Sequence, residues 1–139
     1  MVDREIIIAK TNAVKKHLTR IQSLAEVPKQ TFMEDPNTQD IILFNIQLAV
    51  QNCIDIAAHV ISEQGLGVPG SNNEMFYCLE ENGYINRQIA EKMVKAVGMR
   101  NLIVHEYGKL DLARIYQTLQ HDINDLQEFL KTMIRKFNL

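Results

Sequence analysis

The sequence predicts an all-α fold, an antiparallel bundle of four long helices with one additional short helix. Three observations carry that expectation. Apolar residues recur at three- and four-residue steps through most of the chain. The runs are opened or closed by residues that cap helices. No stretch shows the apolar–polar alternation of a half-buried strand. With 139 residues, the chain has the size of one ordinary domain and can bury one core without disulfides or metals. A single helical domain is expected over residues 1–139.

The first helix is expected over residues 3–25, where Ile6, Ala9, Ala13, Val14, Leu18, Ile21 and Leu24 keep helical spacing. Val27-Pro28 ends it, because a residue before proline is pushed out of the helical region. Asp35-Pro36 reads as an N-cap followed by proline at the first helical position. From there a second helix should run to about residue 63. It is apolar on most of its circumference, so it should be central, buried by sister helices or by a second subunit. Gly65-Leu-Gly-Val-Pro-Gly-Ser-Asn72 breaks it. Ser71 with Glu74 resembles a capping box for a short helix ending at Leu79 or Glu80. Gly83 stops that piece, and Asn86 caps a long helix carrying Ile89, Met93, Val94, Ala96 and Val97. Gly108 and Asp111 mark its end and the next start. The last helix has the cleanest spacing, with Leu112, Ile115, Leu119, Ile123, Leu126, Leu130, Met133, Ile134 and Phe137.

Composition narrows the function. A net charge of −2 argues against attachment to nucleic acid by bulk positive charge, and leaves room for a local basic pocket that binds phosphate. Cys53 and Cys78 sit in apolar surroundings and read as small hydrophobes in a reducing compartment. With His59 and His105 they form no zinc spacing, and no metal or cofactor is expected. The glycine-rich break lacks the Lys and Ser/Thr of a phosphate-binding loop. The amino terminus lacks a secretory apolar region, and polar residues interrupt the apolar stretch 41–61 too often for a membrane span. A soluble cytoplasmic protein is expected.

The informative segment is residues 99–107, MRNLIVHEY. Core packing asks for none of Arg100, Asn101, His105 and Tyr107 near a helix end. At about 100° per residue, Asn101 and His105 share a face while Arg100 points well away from His105. Two copies of the helix meeting at a two-fold axis would bring each Arg and His to one shared cleft. Such a cleft has the parts for metal-free RNA cleavage. The ribose 2′-OH attacks the adjacent phosphorus, and histidine suits both the proton acceptor and the proton donor, its ordinary pKa of about 6.5 lying near working pH. Arg100 would bind the phosphate and stabilise its growing charge; Asn101 would orient the phosphate or the imidazole. The expected product is a 2′,3′-cyclic phosphate. In the second helix Asn45, Asn52 and His59 repeat at sevens with Asp55 between them. A polar stripe on a greasy helix needs partners, and the Arg100–His105 region is the expected one, with Asn52 and Asp55 as a supporting shell.

Arg100-x4-His105-x-Tyr107 resembles the signature of the HepT family, ribonuclease toxins of the HEPN superfamily. The segment DIAAHVIS at 55–62, the GVPGSN break at 67–72, Phe76 with Leu79, and residues 99–107 follow the family in order and spacing, so the likeness covers nearly the whole chain. The resemblance implies a HEPN-like bundle, a homodimer with Arg and His in a shared cleft, and RNA (tRNA or mRNA) as substrate. It further implies a cognate MntA-like nucleotidyltransferase antitoxin that transfers AMP from ATP to the motif tyrosine. Carried over, Arg100 and His105 are catalytic and Tyr107 is the modified residue.

Plainer readings stand beside these. A helix-end Arg and His can serve only the helix dipole. Asn52 and Asp55 can serve only a polar network at a dimer core, and Tyr107 can be an ordinary interface aromatic. His59 is expected to be partly buried and hydrogen-bonded, and His17 and His121 to face solvent. The competing functional class is a non-catalytic HEPN-like scaffold subunit of a nucleotidyltransferase.

Overall fold

A computed structural model describes residues 2–139. Among these the chain forms six α-helices and one 3-10 turn, with no strand: α1 (Arg4–Ala25), α2 (Lys29–Glu34), α3 (Pro36–Glu63), α4 (Asn72–Glu81), α5 (Arg87–His105), the turn Tyr107–Lys109, and α6 (Leu112–Phe137). The four long helices match the sequence expectation. α4 reaches Glu81, one residue past the later of the two expected ends.

The caps explain the boundaries. Asp3 accepts hydrogen bonds from the Glu5 and Ile6 amides, and Asp35 from those of Asn37 and Thr38, with Pro36 at the first helical position. The Thr38 hydroxyl also donates to Asp35 at 2.7 Å, and this bond above all holds the Asp35 carboxyl below its usual range. Ser71 accepts from the Glu74 amide. The Glu74 carboxylate does not close a reciprocal box on Ser71 but takes the Gly70 amide at 2.6 Å. Asn86 accepts from Ile89 at 2.9 Å. At the far end, Asn138 adopts a left-handed conformation (φ 54) that closes α6.

α3 lies at the centre and packs against every other α-helix, as its all-round apolar surface predicts. By length and composition it is apolar enough to cross a membrane, yet 56% of its most apolar window is buried inside the bundle, the mark of a core helix. One continuous core draws on every α-helix except α2 and includes Phe76, Phe129, Ile42, Leu43, Met93 and Met133. The rings of Phe76 and Phe129 meet edge to face at 5.6 Å. Cys53 is fully buried in this core, where desolvation pushes its thiol far above the usual value.

The short α2 was not expected. Six residues are too few to show a period, and the helix is held by tertiary contacts. Phe32 is fully buried, its ring lies 5.3 Å from that of Tyr116, and the Tyr116 hydroxyl donates to the Val27 carbonyl at 2.7 Å.

The polar stripe on α3 has a different partner from the one expected. The Asp3 amide donates to His59 Nε2 at 3.1 Å, Lys10 Nζ pairs with Asp55 at 3.1 Å, and His17 Nδ1 bonds Asn45 Oδ1 at 2.8 Å. Positions 3, 10 and 17 climb α1 by sevens while 59, 55 and 45 descend α3. Three of its four residues, Asn45, Asp55 and His59, form the polar seam of an antiparallel helix pair. Asn52 donates to its own helix at Leu48, and Asp55 also accepts from Gln51. Within one chain neither Asn52 nor Asp55 bonds Arg100 or His105: Asp55 ties α3 to α1 through Lys10, and Asn52 bonds only its own helix. His17 is likewise half-buried rather than solvent-facing, whereas His121 is exposed and His59 is partly buried and bonded.

Candidate active site

The motif sits on the last turns of α5. Ile89, Ala90, Met93, Val97 and Ile103 are buried along one face and fix the rotation of the helix. With Ile103 turned inward, helical geometry turns Asn101 and His105 outward, and both are exposed. Arg100 is half-buried. Its Nη1 donates to Asn101 Oδ1 at 3.1 Å, while its Nε is buried without a hydrogen-bond partner. A buried guanidinium N–H left unpaired is costly unless something completes it. His105 has no side-chain hydrogen bond or ion pair among the described residues, and its ring is exposed. Arg100 and Asn101 are thus brought together, and neither bonds His105 within one chain.

The exposed apolar side chains Leu102 (45% exposed) and Val104 (39%) flank this polar face. Large apolar groups interleaved with an exposed Asn and His are a surface fit for burial against another chain.

Beyond His105 the helix ends sharply. The Glu106 amide still bonds the Leu102 carbonyl at 2.8 Å, but its backbone (φ −135, ψ 38) leaves the helical region. The next residues form the 3-10 turn, which carries Tyr107 back over α3. There the Tyr107 hydroxyl donates to the Asp40 carboxylate. Desolvation first, then the Asp40 bond and charge, push the phenol up to about 12. Asp40 was missed from the sequence, since nothing local links it to a tyrosine on another helix.

Tyr107 lines a groove of ≈ 530 Å³ together with Ile103, with Lys16, His17 and Arg20 of α1, and with Asp40 and Phe44 of α3. Among the described residues no three His, Cys, Asp or Glu side chains cluster as metal ligands would.

Residues 14–133 match the sequence profile of the family described as Ribonuclease HepT-like. The chain belongs to that family. The HepT-like chain is 35% identical over 126 residues to the mRNA nuclease HepT of Shewanella oneidensis, covering 91% of this chain and 94% of that protein. It is 23% identical over 118 residues to the tRNA nuclease HepT of Aphanizomenon flos-aquae, covering 85% and 80%. Its fold superimposes with a TM-score of 0.87 on a tri-AMPylated Shewanella oneidensis HEPN toxin solved in complex with an MNT antitoxin, at 33% identity and covering 94% of this chain and 98% of that one. The HEPN-like bundle expected from the sequence is therefore the fold of this HepT-like chain.

Proposed function

We propose that this HepT-like chain is the toxin of a toxin–antitoxin pair, a metal-independent endoribonuclease that acts in the cytoplasm as a homodimer and is silenced by AMP attached to Tyr107. The observation that carries the reading is the end of α5, where the exposed Asn101 and His105 stand among the exposed Leu102 and Val104 and the half-buried Arg100 reaches this face through Asn101. In one chain the guanidinium and the imidazole share no hydrogen bond; burial of this face against its own copy supplies the second set. The family, and the naming of its relatives as mRNA and tRNA nucleases, supports RNA as the substrate.

In the shared cleft the neutral imidazole of one His105 takes the proton of the ribose 2′-OH. The O2′–P bond forms and the P–O5′ bond breaks. The leaving 5′ oxygen takes a proton from the second protomer's His105, held as the imidazolium. The Arg100 guanidinium holds the non-bridging oxygens and stabilises the charge that grows on them, with Asn101 fixing its position. The products are a 2′,3′-cyclic phosphate and a 5′-hydroxyl.

The silencing reaction is carried out by a cognate MntA-like nucleotidyltransferase, a reading supported by the AMPylated relative bound to its MNT antitoxin. Tyr107 Oη attacks the α-phosphorus of ATP, the bond from that phosphorus to the bridging oxygen breaks, and pyrophosphate leaves. Asp40, which already accepts the phenol proton in a hydrogen bond, is placed to receive it. Added phosphate two residues from His105 repels RNA from the cleft.

The test is RNA cleavage by the purified, unmodified dimer in EDTA, wild type against His105→Ala. Loss of the general acid–base group should cost about 10²- to 10⁴-fold in rate. Folded wild type that cuts no RNA would point to the scaffold subunit instead.

A further inference from the structure

We infer that the groove between α1, α3 and the end of α5 binds the nucleotide that Tyr107 carries, with Lys16 and Arg20 on its phosphate and Phe44 against its base. The inference rests on the modification of Tyr107 proposed above and assigns the modified side chain a place on the toxin itself.

Four observations converge. Tyr107 lines the groove, so any group joined to its hydroxyl is delivered there. The volume of ≈ 530 Å³ falls inside the range of about 300–1,000 Å³ of small-molecule sites. Lys16 and Arg20 lie four residues apart on α1, hence on one face, and neither has a carboxylate partner among the described residues, whereas Lys10, Arg87 and Lys92 all do. Unpaired cations gathered around one cavity of a chain with net charge −2 make the local field a phosphate needs. Between them His17 is locked by buried Asn45. The Asn45 amide nitrogen donates to the Ile41 carbonyl, so its oxygen accepts, and His17 Nδ1 must carry the hydrogen. Finally, Phe44 is 56% exposed and pairs with no other ring among the described residues, an open face on which a purine stacks.

Asp40 gives the site a direction. It is the one carboxylate among the residues lining the groove. In the unmodified chain it accepts the phenol proton and holds Tyr107 in place. Esterification removes that proton and sets a phosphodiester charge beside Asp40. Repulsion from Asp40 and attraction to Lys16 and Arg20 then move the modified side chain onto the basic wall.

The experiment uses the full-length toxin modified by its antitoxin and ATP, wild type against Lys16→Ala/Arg20→Ala. Both are exposed to a phosphodiesterase and followed by intact mass. The double variant should lose its nucleotide about tenfold faster, and modification should raise the melting temperature of wild type alone. Arg20→Gln, a single exposed change, should give a smaller acceleration and serves if the double variant does not fold. Equal loss rates from two fully modified proteins overturn the inference and leave the modification standing. A folded double variant that accepts no AMP also overturns it, because the groove would then serve attachment. Wild type that gains no AMP mass removes the modification reading, and this inference with it.

Discussion

Replacing Asp40 with Asn isolates the contact on which the fate of Tyr107 depends. The variant keeps the size of the side chain and removes its charge. In wild type the phenol is pushed up to about 12, by desolvation first and by the Asp40 bond and charge after it. An unperturbed tyrosine titrates near 10. Asp40→Asn removes the charge and exchanges a charge-assisted hydrogen bond for a neutral one, while the burial of the ring stays. The phenol should therefore titrate between about 10 and 12, below wild type and still above a free tyrosine. Alkaline titration of phenolate absorbance reads this directly, with Tyr107→Phe as the blank that removes one of the four tyrosines. The linkage has a definite sign. A folded phenol pKa above the unfolded one gives stability that is complete below pH about 10 and is lost as pH rises toward about 12. Wild type should lose more stability than Tyr107→Phe across that window. Attachment of AMP should also slow in Asp40→Asn, since the neutral amide is a poor proton acceptor. An unchanged titration curve would refute the Tyr107–Asp40 contact and the proton route built on it.

Other expectations follow from the packing. Asn86→Ala removes the side-chain acceptor for the Ile89 amide and should cost about 1 kcal/mol in urea unfolding, with fraying at the start of the helix that carries the motif. Phe129→Ala empties a fully buried site against Phe76 and should cost about 3–5 kcal/mol; a loss below about 1 kcal/mol would mean the core has another arrangement. Asp122 is held above the usual carboxylate range, by desolvation first. Its folded form binds the proton more tightly, so its contribution is complete below the unfolded value of about 3.9 and is lost as pH rises through the folded one. Asp122→Asn should then raise the melting temperature at pH 7, and the gain should vanish in acid.

Much of this was legible in the sequence because it is local. Asp35-Pro36, Ser71 and Asn86 mark helix starts through bonds to amides two or three residues on, and a chain of letters displays such spacings. The 3.6-residue pattern of α6 gives its buried face for the same reason. What could not be read is which face meets which. The polar stripe Asn45–Asn52–His59 was visible, but a helical wheel names a direction and no neighbour. A matching signal was present in Asp3, Lys10 and His17, which repeat at sevens on the side of α1 that meets α3, but the residue that answers Lys10 is Asp55 and not Asn52 of the sevens series. α2 left no periodic trace because tertiary contacts to Phe32 hold it. In the site, Arg100, Asn101, His105 and Tyr107 were picked out by residue type at a helix end. Asp40, Lys16 and Arg20 were not, since exposed charges on amphipathic helices ordinarily face only water.

The chemistry at the centre of the account is attack by the ribose 2′-oxygen, and the ends of the cleaved RNA record it. Mass spectrometry of products made in EDTA by the unmodified dimer should find a 2′,3′-cyclic phosphate on one fragment and a 5′-hydroxyl on the other. Fragments ending in a 3′-hydroxyl and a 5′-phosphate would contradict it, because water or hydroxide would then have attacked the phosphorus in place of the sugar.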